Sequence, residues 1–123
     1  MAHKILIIED EKILAEMYKD KFIQAGFEVV LVYSAEEALK VLQKERPDLI
    51  LLDILLPRTN GIGFLTMIKK DPGISLIPVI AFSNYDDAET KREAFRLGVK
   101  DYLIKTNYTP QEIIEKVKNY LAQ

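Results

Sequence analysis

The chain contains no cysteine and a single histidine, His3. Without cysteine there is no disulfide framework, no thiolate metal site and no cysteine nucleophile, and nothing points to an oxidising compartment. One histidine is too few for a histidine-rich metal centre. No apolar run approaches the ~20 residues that a membrane helix needs, and the first residues lack the pattern of a signal peptide. We therefore expect a cytoplasmic protein with no membrane contact.

An excess of charge of one sign is also missing. The 123 residues carry 17 basic and 19 acidic side chains, for a formal net charge of -2. This balance gives no electrostatic footprint for nucleic acid, so direct nucleic-acid binding is not expected. An apolar fraction of 49% at this length is typical of one globular domain with a full core, and we predict a single domain over residues 1–123.

Short apolar runs alternate with amphipathic segments along the whole chain. The segments between the runs repeat apolar residues at helical spacing. The runs are typical of strands buried on both faces and lie at 5–8, 29–32, 49–52, 79–82 and 102–104. Strict alternation of strands and helices predicts an α/β fold of (βα)₅ type, with a doubly wound parallel five-stranded sheet covered by helices on both faces.

Signals for the ends of helices agree with this pattern. Capping boxes are predicted at 34–37 and 109–112, where a hydroxyl residue is followed three positions later by glutamate. Gly26 and Gly98 are expected just after the first and fourth helices, where glycine commonly ends a helix.

Polar side chains follow four of the five predicted strands. They are Glu9 and Asp10 after the first strand, Asp53 after the third, Ser83 at the end of the fourth and Lys105 after the fifth. Ligands of open parallel sheets bind outside the carboxyl ends of the strands. If these strands are neighbours, the five side chains converge on one pocket with several carboxylates, one hydroxyl and one ammonium.

Taken singly, most of these residues have an ordinary structural interpretation. An acidic first turn complements a helix dipole, Ser83 could be a strand-end hydroxyl, and Lys105 could be a surface lysine. Asp53 differs, because it lies between two apolar runs, where a carboxylate carries a desolvation cost that a structural role rarely justifies. A single site explains polar residues after four strands at one end of the sheet better than four unrelated structural roles do.

The side chains of this pocket suit phosphoryl transfer. Crowded carboxylates repel one another, and a divalent cation with oxygen ligands, such as Mg²⁺, relieves the repulsion. A carboxylate can attack phosphorus to form an aspartyl phosphate, and no general base is needed because it is already ionised at neutral pH. A metal, the Lys105 ammonium and the Ser83 hydroxyl would balance the charge on the transferring group.

These residues together resemble the receiver domain of two-component response regulators. The resemblance rests on the pair Glu9-Asp10, the segment DILLPRTNG at 53–61, Ser83 and the segment DYLIK at 101–105, and it covers essentially the whole chain. It implies a flavodoxin-like sheet with strand order 2-1-3-4-5. It also implies a signalling switch in a phosphorelay rather than an enzyme that turns over a free substrate.

The resemblance implies a role for each matching residue. Asp53 would accept the phosphoryl group from a histidine kinase or histidine phosphotransfer protein, with Ser83 and Lys105 as the phosphoryl contacts. The implied ligands of Mg²⁺ are Glu9 acting through a water, Asp10, Asp53 and the Leu55 carbonyl. Ser83 would then move toward the phosphoryl oxygens and Tyr102 would turn into the space left behind. The face of the fourth helix, fifth strand and fifth helix would change and signal to a downstream protein partner or output domain.

Two positions depart from the family pattern. Thr106 follows Lys105 where the family usually has proline, often with a cis bond, so the geometry of that peptide is open. Glu9 stands in place of the commoner aspartate, and a ligand that acts through water should tolerate the extra methylene.

Two other functions compete with the switch. A pseudo-receiver would bind partners without phosphorylation, but its signature is loss of an acid or of the lysine, and neither is lost. A magnesium-dependent phosphohydrolase would need an acid two residues after the nucleophile, and that position is Leu55. The resemblance instead implies that Leu55 and Tyr85 flank the approach of water, and neither orients a water there, so we expect a long-lived phosphoryl group.

Overall fold

A parallel five-stranded sheet forms the centre of the protein. The computed structural model describes residues 2–122, so Met1 and Gln123 of the predicted domain lie outside the described residues. The strands are β1 (Lys4–Ile8), β2 (Glu28–Val32), β3 (Leu49–Leu52), β4 (Val79–Ser83) and β5 (Asp101–Ile104). Their order across the sheet is 2-1-3-4-5, and every neighbouring pair is parallel. The predicted (βα)₅ fold and the strand order implied by the resemblance are both confirmed.

One helix follows each strand. The helices are α1 (Lys12–Gln24), α2 (Ala35–Leu42), α3 (Gly61–Lys69), α4 (Ala88–Arg96) and α5 (Pro110–Leu121), and a short 3₁₀ turn covers Lys105–Asn107. Within residues 2–122, no helix has the length and apolar character that a bilayer crossing requires.

The sheet separates two hydrophobic cores. Successive residues of a strand point to opposite faces, so Ile5 and Ile7 pack under α1 and α5, while Leu6 and Ile8 pack under α2, α3 and α4. All four side chains are fully buried. Each such side chain contributes about 1.5–3 kcal/mol to folding, so both faces of the central strands hold the sheet in place.

The strand β2 differs from the prediction that every strand is buried on both faces. Its residues from Glu28 to Leu31 are exposed or partly exposed, and Val32 at its end is buried. β2 lies at one edge of the sheet, with β1 as its neighbour. Edge position alone does not expose a strand, since β5 at the other edge is buried from Tyr102 to Ile104.

The two predicted capping boxes have different outcomes. At α5 both bonds form, because the Glu112 N–H donates to Thr109 Oγ1 at 3.1 Å and the Thr109 N–H donates to Glu112 Oε1 at 2.8 Å. At α2 the Glu37 N–H donates to Ser34 Oγ at 3.1 Å, but the Glu37 carboxylate accepts from the Ser34 hydroxyl at 3.4 Å. The second half of that prediction was wrong, since the carboxylate is occupied by the hydroxyl rather than by the Ser34 N–H.

Candidate functional site

The register of the sheet brings the predicted site residues to one edge. Ile8 lies beside Leu52, so the residues that follow β1 stand next to Asp53 at the end of β3. On the other side of β3, β4 ends at Ser83 opposite Ile104, and Lys105 comes directly after it. Neighbouring parallel strands that end together therefore form the pocket that the sequence predicts.

The side chains of this pocket differ in how far water reaches them. Glu9 is 1% exposed, Asp53 5% and Ser83 0%. Asp10 is exposed, as is Glu11 at the start of α1. The pocket thus has a buried floor that contains two carboxylates and a hydroxyl, with a third carboxylate at its open side.

Lys105 bridges the two buried carboxylates. Its ammonium donates to Asp53 Oδ2 at 3.0 Å and also to Glu9 Oε1. The other Asp53 oxygen, Oδ1, accepts from the Leu55 N–H at 3.2 Å. Both oxygens of Asp53 therefore have partners, and its carboxylate is held in one orientation.

The electrostatics of the pocket are dominated by crowded negative charge. Burial raises the pKa of Glu9 to about 7, the bond from Lys105 opposes that rise, and the charge of Asp53 adds to it. Burial lowers the pKa of Lys105, but the Asp53 and Glu9 carboxylates more than offset this, so its pKa is raised overall. Lys105 therefore stays charged. The acids still repel one another, because one ammonium cannot neutralise several carboxylates.

The acidic cluster has the donor set of a divalent cation site. Glu9, Asp10 and Asp53 each offer a carboxylate oxygen, and these oxygens lie within 4.8 Å of one another. All three donors are hard oxygen ligands of the kind that Mg²⁺ prefers. The cluster therefore fits a magnesium ion, while the part of the Leu55 carbonyl in holding it stays a prediction.

The backbone of Tyr85 connects Ser83 to Tyr102. The Tyr85 N–H donates to Ser83 Oγ at 3.1 Å, and the Tyr102 hydroxyl donates to the Tyr85 carbonyl at 2.7 Å. Tyr102 is 8% exposed, and its burial raises its pKa to about 12. The resemblance implies that Tyr102 turns inward after Ser83 moves, and this movement stays a prediction. In this structure the ring is buried.

The two residues expected to flank the approach of water both lie on the surface. The side chain of Leu55 is 52% exposed and that of Tyr85 is 41% exposed. The peptide between Lys105 and Thr106, whose geometry the sequence left open, is trans, since residues 2–122 contain no cis peptide bond.

Two aromatic residues beside the pocket were not expected there. The Lys105 Nζ lies 4.7 Å from the centre of the Phe82 ring, and the ring of Tyr18 packs against that ring. Phe82 lies inside an apolar strand and Tyr18 on the apolar face of a helix, so each has the sequence signature of an ordinary core residue. The position of Phe82 next to Ser83 is the one signal that could have drawn attention to it.

A family model described as the response regulator receiver domain matches residues 5–118. The chain is 31% identical over 123 residues to the alkaline phosphatase synthesis transcriptional regulatory protein PhoP of Bacillus subtilis (strain 168), covering 100% of this chain and 50% of that protein. It is 32% identical over 118 residues to the phosphate regulon transcriptional regulatory protein PhoB of Klebsiella pneumoniae, covering 96% of this chain and 51% of that protein. The chain thus spans about half the length of the curated relatives it matches.

Solved structures give the same picture over the full chain. A putative response regulator from Chloroflexus aurantiacus J-10-fl superposes with a TM-score of 0.90 at 34% identity, covering 100% of both chains. The phosphorylated cyanobacterial phytochrome response regulator RcpA superposes with a TM-score of 0.84 at 29% identity, covering 98% of this chain and 91% of that one.

Proposed function

Because this chain belongs to the receiver domain family of response regulators, we propose that it is a phosphoacceptor switch in which Asp53 takes a phosphoryl group from a histidine kinase or histidine phosphotransfer protein. The observation that carries the proposal is the contact between Asp53 and Lys105 at 3.0 Å, inside a pocket that also holds Glu9, Asp10 and Ser83. Asp53 is a buried carboxylate nucleophile, and the fixed ammonium of Lys105 supplies the positive charge that stabilises the phosphorylated product.

The transfer step follows from the chemistry of a carboxylate nucleophile. An oxygen of Asp53 attacks phosphorus, the bond between phosphorus and the donor imidazole nitrogen breaks, and its electron pair stays on that nitrogen, which takes up a proton. The product is an acyl phosphate on Asp53. Since the nucleophile is an anion rather than a hydroxyl, no residue has to remove a proton from it.

The residues around Asp53 then hold the charge of the product. Lys105 exchanges its bond with Asp53 Oδ2 for one with a phosphoryl oxygen, and the hydroxyl of Ser83 donates to another. The Leu55 N–H keeps Asp53 Oδ1 in place. Mg²⁺, when held by Asp10, Asp53 and the Leu55 carbonyl, with Glu9 acting through a water, would supply positive charge that reduces repulsion between these acids and the phosphoryl group.

The surroundings of the pocket leave room for a protein donor. Ile13, in the first turn of α1, is 90% exposed, and Leu55 and Tyr85 are also exposed. Exposed apolar side chains of this size next to an acidic pocket give a docking partner apolar area to bury. A downstream protein partner or output domain would respond to the phosphorylated form. The two relatives named above are transcriptional regulators. The cytoplasmic location of this protein stays a prediction.

A pseudo-receiver remains the alternative, and it is disfavoured because the acids, the hydroxyl and the lysine are all present and stand together. A phosphohydrolase is disfavoured because the side chain two residues after Asp53 is Leu55, which cannot act as an acid or a base.

The experiment that tests the proposal is intact mass after incubation with acetyl phosphate and magnesium. We expect the parent chain to gain one phosphoryl group and Asp53→Asn to gain none, because the amide keeps the shape but is not a nucleophile. Asp20→Asn, which changes an exposed carboxylate on α1, is the matched control and should be labelled like the parent. An unlabelled parent would favour the pseudo-receiver, and labelling of Asp53→Asn at another residue would refute the assignment of Asp53.

A further inference from the structure

We propose that Phe82 is a positioning residue for phosphoryl transfer to Asp53. Its ring, supported by Tyr18, holds the Lys105 ammonium in place through a cation–π contact. The inference rests on the proposed function, because it assigns a role within the same reaction. Phe82 touches neither the nucleophile nor the phosphoryl group in this scheme and acts through Lys105.

The geometry around the ammonium leaves it little freedom. Two of its contacts are the carboxylates of Glu9 and Asp53, and a further side of the nitrogen faces the Phe82 ring at 4.7 Å from the ring centre. A cation within about 6 Å of an aromatic centre is attracted to the negative face of the ring. The side chain of Lys105 is 7% exposed, so water hardly competes for the ammonium.

The ring itself is held by the core beneath it. Phe82 is 0% exposed and Tyr18 is 3% exposed. The centres of the two rings lie 5.1 Å apart with an angle of 76° between their planes, which is an edge-to-face pair. Tyr18 comes from α1 and Phe82 from β4, so this pair fixes the ring by tying a helix to the central sheet.

This contact differs from the other lysine–aromatic pairs within residues 2–122. Those pairs have distances of 5.6 to 5.9 Å, and they are Lys116–Tyr108, Lys12–Tyr33 and Lys91–Tyr102. The side chains of Lys91 and Lys116 are 34% and 42% exposed. The Lys105–Phe82 pair has a shorter distance from ammonium to ring centre, and its lysine is less exposed to water. Attraction between a cation and a ring strengthens with desolvation.

The ring matters for the reaction because lysine is a flexible residue. Its four-carbon stem has many rotamers, whereas catalysis needs the ammonium within a fraction of an ångström of the transferring group. An aliphatic residue at position 82 would fill the core but would not attract the ammonium. An aromatic ring holds the ammonium in place before the phosphoryl group arrives and after the bond to Asp53 is exchanged.

Fluorination of the ring tests this role with little change in shape. Site-specific replacement of Phe82 by mono-, di- and trifluorophenylalanine withdraws electron density from the ring in steps while nearly conserving its volume. We expect the rate of labelling by acetyl phosphate at saturating magnesium to fall with each fluorine, by about tenfold for the trifluoro residue. The same series at Phe64, which is also 0% exposed but lies in the other core, is the matched control.

Packing alone would not produce a graded loss at position 82 and none at position 64. A flat series at Phe82 overturns the proposal, and so does an equal fall at Phe64. A second measurement does not depend on phosphorylation: NMR of isotope-labelled lysine should show the Lys105 ε-CH₂ protons shifted upfield by the ring current in the wild type and not in Phe82→Leu. Unshifted protons in the wild type also overturn the proposal.

The two measurements separate failure of this inference from failure of the proposed function. If the parent chain is not labelled, the proposed function fails and the positioning role fails with it, while the NMR shift still decides whether the ring seats the ammonium. If the parent is labelled and the fluorine series is flat, the proposed function stands and the role of Phe82 is refuted.

Discussion

The acidic pair after β1 divides into a buried and an exposed residue. Glu9 is 1% exposed and its carboxylate is already engaged by Lys105, whereas Asp10 is exposed and has a carboxylate oxygen within 4.8 Å of its neighbours in the cluster. A metal ion entering from solvent meets Asp10 first. This difference supports the view that Asp10 is the direct ligand and that Glu9 acts through a water.

Replacing Asp10 by Asn should weaken magnesium binding at least roughly tenfold, because the site loses a charged ligand where the ion takes few protein ligands. A magnesium titration followed by tyrosine fluorescence measures the Kd. Glu11→Gln, which removes an exposed charge next in sequence, is the matched control and should bind nearly as the parent does. Unchanged affinity in Asp10→Asn would mean that another acid is the direct ligand.

Leu55 and Tyr85 concern the lifetime of the phosphorylated state. Leu55 has no polar group that could orient a water, and both side chains are exposed, so substitutions there should leave the core intact. Leu55→Asn combined with Tyr85→Glu should speed the loss of the phosphoryl group by supplying groups that position water. The measurement is first-order decay after removal of the phosphodonor.

A control for that double variant changes the same kinds of residue elsewhere. Leu76 and Phe95 are 90% and 47% exposed, and Leu76→Asn with Phe95→Glu should decay at the parental rate. Decay of the Leu55/Tyr85 variant no faster than the parent would show that neither residue controls access of water.

At the scale of elements, the start of α3 packs directly on the backbone that carries Asp53. The Gly61 N–H donates to the Ile54 carbonyl at 2.8 Å. A Cβ at position 61 would lie 2.7 Å from Ile54 Cα and 2.9 Å from the Asp53 carbonyl oxygen. The helix can approach this closely because residue 61 has no side chain. Gly26 and Gly98 serve a different purpose, because they end α1 and α4 with φ angles of 97° and 100°, as the sequence predicts.

Alanine at these two kinds of glycine should therefore have different effects. Gly98→Ala adds a Cβ with nothing within 4 Å, so its cost is backbone strain of about 1 kcal/mol in the free energy of unfolding and the labelling rate should not change. Gly61→Ala forces the backbone beside Asp53 to shift, so it should lower both stability and the labelling rate. Urea unfolding and labelling by acetyl phosphate check this, and an unchanged rate in Gly61→Ala would contradict it.

At the scale of the whole molecule, the contacts of Tyr85 give the pocket a route to α4 and β5. Its N–H is bonded to Ser83 and its carbonyl to the Tyr102 hydroxyl, while the Lys91 ammonium of α4 lies 5.9 Å from the centre of the Tyr102 ring. We expect the change on phosphorylation to begin at Ser83. If its hydroxyl turned to a phosphoryl oxygen, the bond that it accepts from the Tyr85 N–H would be disturbed.

NMR spectra with beryllofluoride, which can stand in for the phosphoryl group, should show this change. A switch needs two conformations that differ by a few kcal/mol in free energy, and contact with the phosphoryl group would favour one of them. We therefore expect chemical-shift changes at Tyr85, at Tyr102 and along α4. Tyr102→Phe, which lacks the bond to the Tyr85 carbonyl, should keep the shifts in the pocket and reduce those in α4 and β5. Shifts confined to the pocket in the wild type would count against the mechanism.

Much of this protein was predictable from the sequence because strands and helices have local signatures. Apolar runs of three or four residues alternate with segments of helical spacing, and that alternation determines a parallel sheet with a helix after each strand. The position of Asp53 between apolar runs, and the polar residues at the ends of other strands, predicted which side chains meet at the pocket. The burial of Glu9 and Asp53 agrees with that prediction.

The partners of those side chains were decided by the tertiary structure. Lys105 bridges carboxylates that lie 96 and 52 residues away along the chain, and its contact with Phe82 depends on how β4 and β5 pack against α1. The inward position of Tyr102 and the partial exposure of β2 likewise depend on neighbours across the sheet. Local spacing encodes which face a residue takes, whereas distances between remote residues follow from strand register and core packing, and no short stretch of sequence specifies these.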